Sequence, residues 1–484
     1  MVHIIESVYA ALVTAAVLTL LLPARREGTR YRDGRTAARV LLVIGMVFLI
    51  ADLDTWRSIP ASVALFGYGF IMLFRKRLVA DRPVPAGPAP ETESRARRTA
   101  RLSVGVAGLA LCATAAALIY VFPTRDLDRP AGGRTVGTAS FMMQDDARTG
   151  VYGDAPGQAR RIMVQAWYPV AGGKPAGADR AIWLPDPTVR AEMAGYAGIP
   201  SFALSHLSRV RTNAWFDATP DGAAGRLPVV ILSHGWSGTR FLHADLAEEL
   251  ASGGALVLAI DHSYGALAVT LPDGTVLPWV PLILPRRADS EATFLSAARG
   301  LVENYARDVE LVSKAVRSGT LPGPLAALAD PGRIGLAGHS TGGGADVLVA
   351  IRDPGIKAVL GLDAWVEPLG AELDAGTEVP QLHLGSESWD NDANEPWLRR
   401  LESASGSWAM FRVAGTGHED FAMTLQVTPI ARFMGLSRGI TRGRFRLAST
   451  RTGADWLLAV LSGDPAAAYA GLPEAGAIPE LSAD

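Results

Sequence analysis

Two hydrophobic rhythms divide the chain. Up to residue 122 the apolar positions come in long runs without polar alternation. Beyond about residue 130 they come in short runs bounded by Gly and Pro that alternate with longer amphipathic stretches. In the first region Leu102 to Phe122 is 21 residues without a charge, close to the ~20 that a helix needs to cross a bilayer. Ser7 to Pro23 is a second run. Only His3 and Glu6 precede it, so it lacks the basic leader of a cleavable signal peptide and reads as retained. Val40 to Ala51 and Ile59 to Phe74 are shorter, the length of spans with snorkelling flanks or of a re-entrant hairpin. The pattern predicts a helical anchor over 1–123 with four spans, about 5–23, 38–55, 58–74 and 102–122.

The second rhythm predicts strands at 161–169, 228–233, 255–260, 333–337, 357–362, 380–384 and 408–413. Helices are predicted between them at 239–252, 290–318, 342–352, 394–403, 420–434 and 451–461. Strand alternating with helix is the signature of an α/β domain, a mostly parallel sheet with helices on both faces. It is expected over 130–464, followed by a flexible tail over 465–484, which is rich in Ala, Pro and Gly.

Charge adds an orientation. The whole chain carries 46 basic and 48 acidic residues, a net charge of −2 with no basic excess of the kind that binds nucleic acid. Residues 1–101, however, hold 15 basic against 8 acidic side chains. Six arginines fall in 24–39 and eight basic residues in 75–101, while the 52–58 turn holds only Arg57. By the excess of positive charge on cytoplasmic loops, 24–37 and 75–101 face the cytoplasm, and the domain after residue 123 lies on the extracytoplasmic side of the cell membrane. The spans hold no mid-membrane ionisable groups of the kind a transporter uses, so they read as a tether. The single cysteine, Cys112, lies in an apolar run and excludes an intrachain disulfide and a Cys-rich metal site.

Arg333 to Gly344 runs from an apolar strand into Gly338-His339-Ser340-Thr341-Gly342 and on into a helix. A serine nucleophile stands on a sharp strand-to-helix turn, and glycines two before and two after it allow the tight backbone. A second Gly-x-Ser-x-Gly, at Gly435 to Gly439, follows a predicted helix and fails that context. Ser340 needs a base and a third group to orient the base. Of the eight histidines, His418 follows the last predicted strand and completes the chain order Ser, acid, His. His3, His206, His234, His243, His262, His339 and His383 read as structural or satisfied polar groups. For the acid, Asp363 ends one strand, while Glu387, Asp390 and Asp392 crowd the end of the next; the residues alone leave both open. The backbone amide of Thr341 supplies one oxyanion donor, and a second is expected from Ser233 to Gly238. Val276 to Arg287, apolar and broken by proline before two arginines, reads equally as a lid or as a loop dipping into a lipid surface.

Taken together these segments resemble the secreted, plasma-type platelet-activating-factor acetylhydrolases, also known as lipoprotein-associated phospholipases, of the α/β-hydrolase group. The resemblance is carried by Gln165 to Pro169, Pro228 to Gly235, Gly338-His-Ser340, Leu362-Asp363-Ala-Trp365 with Pro368-Leu-Gly370, Gly385-Ser-Glu387, and Gly417-His418 with Phe421. It implies Asp363 as the acid and the amide of Trp236 as the second oxyanion donor. It also implies a calcium-independent esterase, without metal or cofactor, that frees a short or oxidised acyl chain from a phospholipid through an acyl-Ser340 intermediate. Where that family carries Leu and Phe, this chain has Trp236 and Thr341, which alters the pocket but keeps both backbone donors. A lipase, cutinase-like or general carboxylesterase would share the same catalytic residues, and a degenerate hydrolase serving as a binding module would not need them all.

Overall fold

The structure, a computed structural model, describes residues 2–18, 40, 43, 56–74, 95–175, 177–389, 393–472 and 478–483. The chain forms two units, one of Met1–Arg125 with Ile199–Arg209 and one of Asp126–Gly198 with Val210–Asp484.

In the first unit α1 (Val2–Leu18), α2 (Ile59–Phe74) and α3 (Arg95–Val121) pack through Val13, Val17, Leu65, Cys112 and Ala115. A Cβ on Gly108 would meet Val17 Cγ1 at 2.8 Å, so α3 approaches α1 closely there. The three helices leave large apolar side chains exposed, among them Val8, Phe70 and Val106. At one end the buried Arg57 guanidinium pairs with Glu6 at 2.5 Å and donates to Phe122 O. Among the described residues one helix, Arg98–Val121, is long and apolar enough to cross a membrane; Ile5–Leu18 is a shorter apolar helix. Four spans are therefore not supported. The predicted span over 38–55 lies outside the described residues apart from 40 and 43, as do loop 24–37 and residues 75–94. Residues 95–101, expected in a loop, are the first two turns of α3.

Among the described residues the second unit is built on a sheet of eleven strands: β1 (Val136–Thr149), β2 (Ala159–Pro169), β3 (Arg180–Ile182), β4 (Arg211–Phe216), β5 (Leu227–Ser233), β6 (Leu256–Asp261), β9 (Ala329–His339), β10 (Ile356–Leu362), β11 (Gln381–Ser388), β12 (Trp408–Gly417) and β13 (Leu481–Ala483). A separate ribbon pairs β7 (Ala268–Thr270) with β8 (Val276–Pro278). The sheet order is β13-β12-β11-β10-β9-β5-β6-β2-β1-β4-β3. β6, β5, β9, β10, β11 and β12 run parallel, while β2 and β13 are antiparallel to their neighbours β6 and β12. The longer helices are α4 (Pro187–Tyr196), α5 (Ala244–Gly253), α6 (Glu291–Ser318), α7 (Thr341–Arg352), α8 (Glu395–Ala404) and α9 (Thr452–Leu461). α6 and α7 bury Val302, Val309 and Val347 against Ile231 and Leu336 on one face. On the other, α9 fills the space that Gly335 leaves free with Leu457 and Leu461.

Three expectations need correction. The predicted helix 420–434 is instead a series of short turns, interrupted where Met423 takes a φ of 60°. The predicted helix 239–252 starts only at Ala244, after His243 at a φ of 76°. The tail also carries structure: Pro465–Ala470 is helical, and β13 extends the sheet. Tyr469 fastens this segment, its hydroxyl accepting from Gln381 N at 2.9 Å and donating to Gln381 O at 2.8 Å.

Candidate active site

The strand order reverses around β5, which lies between β6 and β9, and in open α/β sheets the crevice beyond the strand carboxyl ends at such a point is where ligands bind. The predicted residues gather there. Ser340 joins β9 to α7 with φ 53° and ψ −120°, a backbone conformation that costs an L-residue about 1–3 kcal/mol and persists only where its surroundings enforce it. The enforcement is visible. Ser340 N donates to Leu362 O at 3.0 Å, and Ser340 O accepts from Gly344 N at 3.0 Å and Trp365 N at 2.9 Å. The glycines are required by contact: a Cβ on Gly342 would stand 2.5 Å from Ser233 O, and one on Gly344 would stand 2.1 Å from Trp365 O.

Asp363 follows β10, buried, with φ 46°. Its Oδ2 meets His418 Nδ1 at 3.0 Å, and its Oδ1 accepts from Ser386 N at 2.7 Å. That pairing fixes the orientation of the carboxylate and directs His418 Nε2 away from it. The competing acids do not take this place. Glu387 is exposed and its carboxylate accepts from Gly415 N, while Asp390 and Asp392 lie outside the described residues. Among the described residues no hydrogen bond joins Ser340 Oγ to His418; such contacts are often long in unliganded sites and tighten around substrate.

Two neighbours of His418 were not legible as such in the sequence. Trp389 stacks on its ring at 4.2 Å and 9°. His339 packs beside it at 4.5 Å, with Nε2 3.2 Å from His418 O. Burial, together with His418 and His243, holds the His339 imidazole well below its ordinary range, so it remains neutral beside the base. Asp420 accepts from Gly417 N at 2.9 Å, and burial raises its carboxyl to about 6.

Trp236, half-buried, lies on the loop after β5, which touches the nucleophile: a Cβ on Gly235 would stand 3.0 Å from Ser340 Cβ. Thr341 opens α7, where the first amides of a helix lack intrahelical acceptors. In the 276–287 segment only Leu277 is buried, and the other side chains are half-buried or exposed. Trp279 meets Trp236 edge-on at 5.6 Å and Tyr196 at 5.5 Å, and Arg287 binds Glu367 and lies over Phe294. Leu282, by contrast, is 89% exposed. A cavity of about 340 Å³ lies behind the acid, between Asp363, Leu384, Trp389, Leu398, Met410 and Arg412. Ser437 of the second Gly-x-Ser-x-Gly is buried in a loop after a short turn rather than after the predicted helix, and no strand leads into it.

Platelet-activating factor acetylhydrolases from Bos taurus and Canis lupus familiaris are each 22% identical to the chain, the first over 40% of this chain and 48% of its own, the second over 50% and 59%. The chain thus spans about half the length of the curated relatives it matches. Among solved structures, a ferulic acid esterase from Streptomyces cinnamoneus superposes with a TM-score of 0.57 and 25% identity, covering 74% of this chain and 99% of that one. The sequence profile of the family described as platelet-activating factor acetylhydrolase, isoform II, matches residues 130–271 and 325–442, more than half of the chain, and the chain belongs to that family.

Proposed function

We propose that this chain is a membrane-anchored serine esterase that hydrolyses the short or oxidised acyl ester of a phospholipid. The observation that carries the chemistry is the pairing of His418 Nδ1 with a buried Asp363 beside a serine held on a strained strand-to-helix turn. In this reading His418 Nε2 takes the Ser340 proton as Oγ attacks the ester carbonyl. The amides of Trp236 and Thr341 receive the developing oxyanion, and His418 then protonates the departing alcohol. Water, deprotonated by the same imidazole, releases the acyl group from Ser340, and Asp363 stabilises the imidazolium in both half-reactions. The residues named need no metal or cofactor for these steps.

Anchoring draws support from the first unit. Its helices bury one side in each other and expose apolar side chains on the rest, a surface that suits lipid better than water. Glu6, Arg57 and Phe122 meet at one end of that unit, the arrangement expected if the N-terminus, the 52–58 turn and the end of α3 share the extracytoplasmic side. The exposed Leu282 supports contact of the 276–287 loop with a lipid surface.

A second reading keeps the mechanism and changes the ester. Trp236, Trp279 and Tyr196 form an aromatic wall beside the oxyanion loop, and the ferulic acid esterase shares the fold over nearly its full length. Both favour an ester with an aromatic or bulky acyl group. Turnover of p-nitrophenyl acetate, p-nitrophenyl octanoate, an aromatic methyl ester and a 2-acetyl phospholipid by the full chain, with Ser340→Ala as control, separates the two. Serine-dependent cleavage of acetate and phospholipid supports the first reading. A preference for octanoate or the aromatic ester supports the second, and no serine-dependent turnover by folded protein contradicts both.

A further inference from the structure

Beneath the loop after β5 lies a polar arrangement that the reaction scheme above does not use. Gly235 O accepts two hydrogen bonds, from His234 Nδ1 at 2.7 Å and from Gly238 N at 3.0 Å. In a trans peptide the C=O and N–H lie in one plane and point in opposite directions, and the described residues contain no cis peptide. Fixing Gly235 O toward His234 and Gly238 therefore turns the Trp236 N–H the other way. Among the described residues that N–H has no acceptor, and the loop bearing it is pressed against Ser340.

The His234 ring makes this contact in one protonation state. Nδ1 must donate to Gly235 O, while Nε2 accepts from the backbone N–H of His262 at 3.2 Å. Only the neutral Nδ1–H tautomer does both. His262 is itself fixed: its Nδ1 meets Asp308 Oδ2 at 3.0 Å and its ring stacks on Tyr305 at 3.8 Å. Asp308, fully buried on α6, accepts from Arg160 Nη2 at 2.7 Å and Arg148 Nη2 at 2.7 Å, and Arg160 Nη1 reaches Ser263 O at 3.0 Å. Side chains from β1, β2 and α6 thus converge on the segment after β6, and through it on one peptide of the oxyanion loop. Apolar side chains of similar volume often stabilise a core as well as a buried ion pair does. The geometry, which ends on the peptide that presents the Trp236 N–H, is the better guide to what this cluster does.

We propose that His234 is a positioning residue for the oxyanion hole: backed by His262 and the Arg160–Asp308 pair, it clamps Gly235 O and so aims the Trp236 amide. The inference rests on the esterase reading. It is tested on the full chain in detergent by kcat and KM for p-nitrophenyl acetate, with the inhibition constant of a trifluoromethyl ketone whose tetrahedral adduct carries an oxyanion. The variants are His234→Leu, which removes both ring nitrogens, and His234→Asn, which offers an amide N–H near the place of Nδ1. His234→Leu is expected to lower kcat about 10²-fold with KM changed less than about 2-fold, to weaken the ketone by a similar factor, and to be rescued in large part by His234→Asn. Equal losses in both variants, a loss confined to KM, or unchanged ketone affinity would overturn the proposal. A wild type that turns over esters no faster than Ser340→Ala overturns the esterase reading and this inference together. Normal wild-type turnover with an equally fast His234→Leu overturns this inference alone. Should His234→Leu not fold, nitrogen-15 spectra of the wild type, with His234 assigned through His234→Asn, decide the matter: a neutral Nδ1–H ring is expected, and an Nε2–H or charged ring is the contrary result.

Discussion

Replacing Gly342 with alanine sets helix propensity against packing at the nucleophile turn. Inside an unobstructed helix the change gains about 1 kcal/mol. Here the new Cβ would stand 2.5 Å from Ser233 O and 2.6 Å from His234 O, where ordinary contact begins at 3.4 Å. Both opposing atoms are backbone, so α7 and the end of β5 must separate by about 0.9 Å, an overpacking that costs about 1–3 kcal/mol. The net destabilisation is then about 0–2 kcal/mol, a shift of a few degrees in Tm for a domain of this size. The same displacement moves the oxyanion loop relative to Ser340, and a misplacement of about 1 Å costs about 10²-fold in rate. Activity should therefore fall much further than stability. The assay is kcat/KM for p-nitrophenyl acetate beside thermal unfolding, with Gly300→Ala as control. Gly300 lies within α6 and a Cβ there meets nothing within 4 Å, so that variant should gain up to about 1 kcal/mol and keep its activity. Retention of more than about half of wild-type turnover by Gly342→Ala would refute the claim that these two backbone segments are held in register by contact.

Other consequences are as specific. Asp363→Asn leaves an acceptor for Ser386 N but turns an amide N–H toward His418 Nδ1, favouring the wrong tautomer; kcat should drop by about 10⁴ with little change in Tm, and a loss under tenfold would show that another group orients the base. Burial lowers His243, His262 and His383 to about 3. Since the unfolded chain binds protons there near the usual imidazole value, the stability these rings contribute is full above about pH 6.5 and is lost as pH falls, by up to about 1.4 kcal/mol per unit for each ring. His383→Gln removes one of them, so its Tm should decline less steeply than that of the wild type between pH 6.5 and 4.5; parallel declines would contradict the assignment. If the second unit is extracytoplasmic, Ser140→Cys, at an exposed position on β1, should react with an impermeant maleimide added to intact cells, and protection until lysis would reverse the topology.

The central strands were legible because both faces of each are buried, which leaves nearly continuous apolar runs between glycines and prolines; β5, β6 and β10 fall within one residue of their predicted bounds. β1 was not, because it lies in the flank of the sheet beside antiparallel β2, with one face in water, and carries Gln144, Asp145 and Asp146, a pattern that reads as loop. The turn at Ser340 was visible from glycine spacing, and His418 from chain order. Asp363 was not separable from Glu387 by residues alone, since the choice depends on which carboxylate points inward after its strand, and Glu387 is drawn off by Gly415 N. The stacking of Trp389 on His418 and the clamp on Gly235 O are contacts between side chains and backbone distant in sequence, and they leave no periodic signal.

The proposed mechanism makes Ser340 Oγ the atom that carries the acyl group. The most direct measurement is mass spectrometry of the full chain quenched during turnover of p-nitrophenyl acetate, compared with Ser340→Ala. One acetyl group on the peptide containing Ser340, absent from the variant together with the turnover, is the predicted result. Acetyl on another residue, or undiminished hydrolysis by Ser340→Ala, would contradict the mechanism.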